Sequence, residues 1–269
     1  MLDAELQHVL VGGRRAAYRR AGGGPVVVLL HGGVSDGREW LPLMTDLHAD
    51  ADVLALDLPG CGGSDDPPPR CTLADLADVV AGVVQALALG PVHLGGLSFG
   101  GGLALQVAVR HPAAVRSLLL FSAYAGWAGS LPPEEVAARR AWARTFVTGS
   151  RPTDPAELVP GLLGSRLPPE LAGLLEQVTA GARPGPTLDL LEAFAEADLS
   201  AELGNVRCPT LVVHGERDTR APRPVAEALH RGIPGSRLVV LPGVGHMVNL
   251  EARAETAALV RDVVSDEWS

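Results

Sequence analysis

The chain of 269 residues contains no lysine, so its 22 basic residues are all arginine. Aromatic side chains are also scarce, at 4% of the residues. The net charge of −9 argues against nucleic acid and against an anionic membrane as partners, because both are negatively charged. No apolar run is long enough to span a membrane, and the acidic N-terminal segment lacks the apolar stretch of a secretory signal. We therefore expect a cytoplasmic protein that binds neither nucleic acid nor membrane.

Cysteine is nearly absent as well. Cys61, Cys71 and Cys208 are odd in number and widely spaced, a pattern that fits neither a disulfide framework nor a zinc site. No cluster of histidine and cysteine has the spacing of metal ligands, so we expect no metal. The simplest role for these side chains is packing, because a nucleophilic cysteine needs a base beside it.

Short apolar runs alternate with helical spacings along most of the chain. Two runs at 6–11 and 15–20 flank Gly12-Gly13 and predict a hairpin. Buried strands are predicted at 26–30, 53–56, 92–95, 115–121, 210–214 and 237–241, and helices at 38–48, 73–89, 101–111, 222–231 and 250–264. The alternation predicts an α/β fold with a mostly parallel, doubly wound sheet that binds ligands at the carboxyl ends of its strands.

Residues 125–203 interrupt this alternation, because they contain no convincing buried strand and are rich in proline. Helical stretches separated by prolines predict a helical cap inserted between two core strands. The core would then consist of residues 1–124 and 204–269. A set of helices that covers the sheet is the alternative.

The pentapeptide Gly96-Leu97-Ser98-Phe99-Gly100 lies between a predicted strand and a predicted helix. That setting is typical of a nucleophile elbow, a sharp turn that exposes a serine. The turn brings strand and helix so close together that only very small side chains fit two residues before and two residues after the serine. In a chain with 32 glycines the pentapeptide alone is a weak signal, and its setting gives it weight. We expect Ser98 to be the nucleophile.

A serine nucleophile needs a base, and the base needs an acid that orients it. The expected chain order on this scaffold is serine, acid, histidine. Asp218 follows the strand predicted at 210–214 and is the best candidate for the acid, since Glu216 lies too close to the strand end to reach across. His246 follows the last predicted strand in a glycine-rich loop and is the expected base.

Acyl transfer also requires hydrogen-bond donors for the developing oxyanion. The backbone amide of Phe99 stands at a predicted helix N-terminus, where the helix dipole favours negative charge. The loop His31-Gly32-Gly33-Val34 follows the first buried strand. We assign the second donor to Gly33, with Val34 as the alternative, and expect His31 to hold the turn.

The predicted cap contains four aromatic side chains, Trp127, Trp142, Phe146 and Phe194, and Tyr124 directly precedes it. Those that face the site would make the substrate pocket apolar, while the others would form the core of the cap. The residues expected to contact substrate are Val34, Trp127, Trp142, Phe146 and Met247.

These motifs together resemble the α/β-hydrolase superfamily. The matching segments follow that family's order along nearly the whole chain: His31-Gly32-Gly33 with Trp40, the run from Asp57 to Ser64, the elbow at Ser98, the run from Gly215 to Asp218, and the run from Gly243 to His246. The resemblance implies the α/β-hydrolase fold, a triad of Ser98, Asp218 and His246, an oxyanion hole from Gly33 and Phe99, and no cofactor. It also implies a structural role for Asp57.

Within that superfamily the Gly-Leu-Ser elbow and the compact cap resemble enol-lactone hydrolases of aromatic catabolism and bacterial esterases. A serine nucleophile departs from haloalkane dehalogenases and epoxide hydrolases, which carry aspartate there. We therefore expect a serine hydrolase that cleaves a small carboxylic ester, lactone or thioester. The alternatives are acyl transfer, perhydrolysis, lyase or cyclisation chemistry on the same fold, and a ligand-binding receptor that keeps the triad.

Overall fold

The computed structural model of the protein describes residue 2, residues 4–148 and residues 161–265, with the backbone alone described for residues 146–148. An eight-stranded sheet forms the centre of this part of the chain. Its strands are β1 (Leu6–Val11), β2 (Arg14–Ala21), β3 (Val26–Leu30), β4 (Asp52–Leu56), β5 (Val92–Leu97), β6 (Val115–Phe121), β7 (Thr210–Gly215) and β8 (Arg237–Leu241).

The strand order is β1-β2-β4-β3-β5-β6-β7-β8. Strands β1 and β2 form the predicted hairpin, and β2 pairs with β4 in the antiparallel sense. All the remaining pairs are parallel. The expected α/β fold with a mostly parallel sheet is therefore confirmed.

Nine α-helices accompany the sheet in the described residues. They are α1 (Leu41–Leu47), α2 (Leu73–Ala86), α3 (Phe99–Arg110), α4 (Pro133–Thr148), α5 (Pro169–Ala180), α6 (Pro184–Glu196), α7 (Arg223–Gly232), α8 (Val248–Glu251) and α9 (Arg253–Val264). None of them is long and apolar enough to cross a membrane.

The parallel strands send alternate side chains to the two faces of the sheet, as the period of two requires. Val28 and Leu30 of β3 join a core cluster with side chains of α2, α3 and α7. Val27 and Leu29 face the other way and join a cluster that contains side chains of α1 and α9. Helices thus cover both faces of the sheet, and the strand ends remain as the edge where a site can form.

The helix predicted at 38–48 begins as a 3₁₀ turn at Gly37–Trp40 and is α-helical only over Leu41–Leu47. The bounds of three other predicted helices differ from the structure for local reasons. The helix predicted at 73–89 begins with the expected Thr72 cap, which forms a capping box with Asp75, but ends at Ala86 because Ala88 adopts a left-handed conformation with φ 51°. The segment predicted as one helix at 250–264 is broken at Ala252, whose φ of −130° is not helical. The helix predicted at 101–111 begins at Phe99, directly after Ser98.

Helices α4, α5 and α6 lie between β6 and β7, in the segment where we predicted an inserted cap. Within residues 122–148 and 161–209 the structure contains no strand. Helices α4 and α6 pack against each other, and Arg140 of α4 forms an ion pair with Glu192 of α6 at 2.6 Å.

Candidate active site

Four of the predicted site residues follow strands whose carboxyl ends meet at one edge of the sheet. Gly33 follows β3, Ser98 follows β5, Asp218 follows β7 and His246 follows β8. The parallel pairing of these strands with their neighbours brings residues that are distant in sequence to the same edge. The topology therefore assembles the residues that the motifs singled out.

Ser98 occupies the turn between β5 and α3 in a strained conformation, with φ 55° and ψ −110°. Its amide donates to the carbonyl of Phe121 at 2.8 Å, which anchors the turn to the neighbouring strand. A Cβ at Gly96 would collide with the backbone of Gly100, and a Cβ at Gly100 would collide with the carbonyl of Leu30. The turn that presents Ser98 therefore requires glycine at both positions.

Asp218 and His246 form a buried hydrogen-bonded pair. The Nδ1 atom of His246 lies 2.7 Å from Oδ2 of Asp218, while Oδ1 of Asp218 accepts the amides of Arg220 at 2.9 Å and Ala221 at 2.8 Å. Burial by itself would raise the pKa of Asp218, but the charge and hydrogen bond of His246 and the Ala221 amide lower it below its ordinary value. An ionised Asp218 accepts a hydrogen bond from the protonated Nδ1 of His246, which leaves Nε2 as the basic nitrogen.

Two other side chains lie near this pair without replacing either member. His214 places Nδ1 3.9 Å from Oδ2 of Asp218, but neither of its ring nitrogens has a hydrogen-bond partner in the described residues, and burial lowers its pKa. Glu216, the other acid considered, is exposed and accepts the amide of Gly243 at 2.8 Å. The buried carboxylate that meets His246 is therefore that of Asp218.

The loop after β3 is held by its own polar side chains. The Leu58 amide donates to Nε2 of His31 at 3.0 Å, which leaves the proton on Nδ1 to meet the carbonyl of Gly32 at 2.7 Å. The amide of Gly32 donates to Oε1 of Glu39 at 3.1 Å. The amides of Gly33 and Val34 have no such partner in the described part of the chain, so they are the donors that this loop can offer to a ligand.

Glu39 is a buried carboxyl group behind this loop, with 1% of its surface exposed. Ser35 and the Gly32 amide hydrogen-bond to its two oxygens. Burial raises the pKa of Glu39 to about 8, against the lowering effect of those two hydrogen bonds, and the nearby Asp36 adds to the rise. Glu39 is therefore mostly uncharged at neutral pH.

The segment that begins at Asp57 braces the same edge of the sheet. Asp57 accepts the amides of Gly37 at 2.8 Å and Gly63 at 2.9 Å, and the hydroxyl of Ser64 donates to its carbonyl at 2.5 Å. Cys61 is buried in this segment, and burial raises the pKa of its thiol. These contacts give Asp57 and Ser64 a structural role and make Cys61 a packing residue.

A cavity opens at this edge, and Ser98 and His246 both line it. Within the described residues the hydroxyl of Ser98 makes no hydrogen bond, so it is available to a ligand. The sheet side of the cavity also contributes Gly33, Val34, Ser35, Glu39, Leu97, Phe99, Arg220 and Met247. The segment between β6 and β7 covers it with Trp127, Leu162, Leu175, Thr179, Leu191 and Phe194.

The residues expected to contact substrate divide between the cavity and its surroundings. Val34, Trp127 and Met247 line the cavity. Trp142 does not line it. Its ring packs against the guanidinium of Arg220, with 5.4 Å between Cζ and the ring centroid. The side chain of Phe146 lies outside the described residues.

No pattern in the sequence pointed to Glu39 as a site residue, whereas Arg220 could have been identified. Arg220 follows Asp218 by two residues in the loop after β7, so the strand-end argument that identified Asp218 applies to it as well. Among the described residues, no group of three or more histidine, cysteine, aspartate or glutamate side chains could hold a metal ion.

Comparison with known proteins agrees with this architecture. The model of the alpha/beta hydrolase family matches residues 27–259. A pimeloyl-[acyl-carrier protein] methyl ester esterase of Neisseria meningitidis is 33% identical over 245 residues, which are 88% of this chain and 76% of the esterase.

Solved structures agree as well. A thermophilic esterase from Thermogutta terrifontis superimposes with a TM-score of 0.87 at 28% identity, covering 99% of this chain and 100% of the esterase. The enol-lactonase of Burkholderia xenovorans LB400 gives a TM-score of 0.85 at 26% identity, covering 96% of this chain and 100% of the enol-lactonase. The chain belongs to the alpha/beta hydrolase family and is an α/β-hydrolase-fold enzyme of the esterase or lactonase type.

Proposed function

We propose that this protein is a serine hydrolase that cleaves a small carboxylic ester, lactone or thioester through a covalent acyl-enzyme. Ser98 is the nucleophile, His246 the general base and acid, and Asp218 the residue that orients His246. The observation that carries the proposal is the shared cavity of Ser98 and His246, with the far nitrogen of His246 held by a buried, ionised Asp218.

The first half-reaction forms the acyl-enzyme. His246 removes the proton of the Ser98 hydroxyl at Nε2 while Oγ attacks the carbonyl carbon of the substrate. Asp218 keeps the proton of His246 on Nδ1 and stabilises the imidazolium that forms. His246 then gives its new proton to the leaving alcohol or thiol, and the carbon–oxygen or carbon–sulfur bond breaks.

The developing oxyanion is stabilised by backbone amides. The amide of Phe99 stands at the first residue of α3, and the amide of Gly33 lies on the loop after β3, with Val34 as the alternative. Gly33 and Phe99 both line the cavity that contains Ser98. Water then repeats the cycle on the acyl group, which releases the acid and restores Ser98.

The segment 125–203 serves as a cap over the site in this proposal. Its contribution to the cavity is almost wholly apolar, through Trp127, Leu162, Leu175, Leu191 and Phe194. An apolar cover favours the uncharged part of a small acyl or alcohol group and excludes water from the reacting carbonyl. Phe194 joins cap and core, because its ring packs 4.9 Å from the ring of Phe99.

The proposal is tested by hydrolysis of p-nitrophenyl esters of increasing acyl length and of small lactones. We expect Ser98→Ala to lower kcat by at least about 10³-fold, because the covalent route is lost. Ser122→Ala is the matched control, since Ser122 also follows a parallel strand with positive φ (45°) but does not line the cavity. Equal activity of the Ser98→Ala enzyme and the wild type would refute the proposal.

A further inference from the structure

Arg220 is a cation in the lining of an otherwise largely apolar cavity. It is partly buried, and its position is fixed through its backbone. The amide of Arg220 donates to Asp218, and its carbonyl accepts the hydroxyl of Tyr124 at 2.5 Å and a guanidinium nitrogen of Arg139 at 2.6 Å. The backbone of Arg220 is therefore held beside the cavity by contacts that do not involve the guanidinium.

The charge of Arg220 has no carboxylate partner among the described residues. The other arginines that are buried or partly buried there each lie within ion-pairing distance of a carboxylate, such as Arg20 with Asp52 at 2.5 Å and Arg139 with Glu135 at 2.6 Å. The Arg220 guanidinium instead stacks against the ring of Trp142.

The charges around Arg220 do not neutralise it. Asp218 is close in sequence, but its two oxygens are taken up by His246 and by two backbone amides. Burial lowers the pKa of Arg220, and the positive charge of Arg139 lowers it further, against the opposing effects of Tyr124, Asp218 and Glu135. A cation withdrawn from water without an anionic partner is costly, and binding an anion removes that cost.

A carboxylate is the anion that fits this arrangement. One guanidinium offers two parallel N–H donors, which match the two oxygens and the single charge of a carboxylate. A phosphate dianion would remain half neutralised, since the other lining residues supply no second free cation within the described part of the chain.

Because Arg220 lines the cavity of Ser98 and its guanidinium has no carboxylate partner among the described residues, we propose that the preferred substrate carries a free carboxylate, which Arg220 binds while Ser98 attacks the ester or lactone carbonyl. This inference rests on the proposed hydrolase function and narrows its substrate class. Arg220 is a specificity-determining residue in this account, and it takes no part in proton transfer.

The experiment compares charged and neutral members of two substrate pairs. Mono-p-nitrophenyl adipate and p-nitrophenyl hexanoate differ by a carboxylate on the acyl side. The pair 4-acetoxybenzoate and 4-methylphenyl acetate differ by a carboxylate on the alcohol side. In at least one pair, Arg220→Met should lower kcat/KM for the charged member by about 10- to 100-fold, mostly through KM, and change the neutral member by less than about threefold.

Two further variants separate charge recognition from folding. Arg220→Lys should recover part of the activity on the charged member, because it restores the positive charge without the planar fork. Arg223→Met removes one positive charge from an exposed residue that does not line the cavity, and it should leave both members unchanged. Equal loss of activity on charged and neutral members of both pairs after Arg220→Met would overturn the inference.

Direct binding keeps the inference separate from the proposed function. Calorimetry measures the binding of adipate to Ser98→Ala protein and to the Ser98→Ala/Arg220→Met double variant. We expect the Kd to rise by about 10-fold or more in the double variant. If wild-type enzyme hydrolyses no ester, the proposed function fails while this comparison still tests Arg220. Equal binding by the two proteins, or binding by neither, would refute the role of Arg220.

Discussion

Asp218 and Glu39 are both buried carboxyl groups at the candidate active site, yet their acidities move in opposite directions. Asp218 has 5% of its surface exposed and Glu39 has 1%. The pKa of Asp218 is lowered, whereas the pKa of Glu39 is raised to about 8. Similar burial thus leaves one group charged and the other mostly neutral at pH 7.

The difference lies in the partners of each carboxyl group. Asp218 faces a histidine that can carry positive charge, and two backbone amides donate to its other oxygen. Glu39 has one amide and the hydroxyl of Ser35, and it lies near the negative charge of Asp36. Burial penalises charge at both places, and only Asp218 has enough compensation to stay ionised. The ionised group can orient His246, while the neutral one can brace the loop after β3.

The substitution with the largest expected effect on this comparison is Asp218→Asn. The substitution removes the negative charge and offers His246 an amide that can donate to Nδ1, which favours the wrong tautomer. We expect kcat on a p-nitrophenyl ester to fall by about 10⁴-fold with the fold intact. Glu216→Gln is the control, since Glu216 is exposed, and it should change kcat little. Comparable losses in the two variants would contradict the assignment of the acid.

A second test uses stability against pH. Between about pH 4.5 and pH 8 folded Glu39 keeps a proton that the unfolded chain loses, so the unfolding free energy of the wild type falls as pH rises through this window. Glu39→Gln mimics the neutral group and removes this dependence. Its unfolding free energy relative to the wild type should increase with pH, by a few kcal/mol at about pH 9.

Urea denaturation at several pH values measures this difference. Glu255→Gln is the matched control, because Glu255 is exposed in the first turn of α9. If the difference in unfolding free energy between the Glu39→Gln protein and the wild type stays constant from pH 5 to pH 9, folded Glu39 is ionised at neutral pH.

The smallest expected effect is on the pH profile of the reaction. Above pH 8 Glu39 becomes an anion that accepts from the amide of Gly32, next to the expected oxyanion donor Gly33. Like charge would then oppose the developing oxyanion, and kcat of the wild type should fall by about twofold to tenfold between pH 7.5 and pH 9.5. Glu39→Gln should hold its rate over this range. Identical alkaline profiles would exclude Glu39 as the cause.

The elements tied to backbone sterics could be predicted from the sequence. Gly96 and Gly100 indicate the elbow, because a Cβ at either position would collide with the backbone. The strand-end positions of Asp218 and His246 follow from the order of strands along the chain. The hairpin and all the parallel strands were also predictable, because continuous apolar runs between turn residues have few other structures available.

What the sequence could not supply are features made by tertiary contacts. The break at Ala252 lies inside a periodic apolar pattern that continues through it. Glu39 lies in a short 3₁₀ turn at Gly37–Trp40, where the sequence predicted ordinary helix. Its neutrality depends on burial and on contacts with Gly32 and Ser35 that exist only in the folded chain. That Arg220 has no carboxylate partner among the described residues becomes visible only when those carboxylates are located in space.

The central claim is that Ser98 is an activated nucleophile. Intact mass spectrometry after incubation with a fluorophosphonate tests it most directly, with wild type, Ser98→Ala and Asp218→Asn in parallel. We expect one adduct on the wild type, none on Ser98→Ala and much slower labelling of Asp218→Asn. No adduct on the wild type, or an adduct on Ser98→Ala as well, would contradict it.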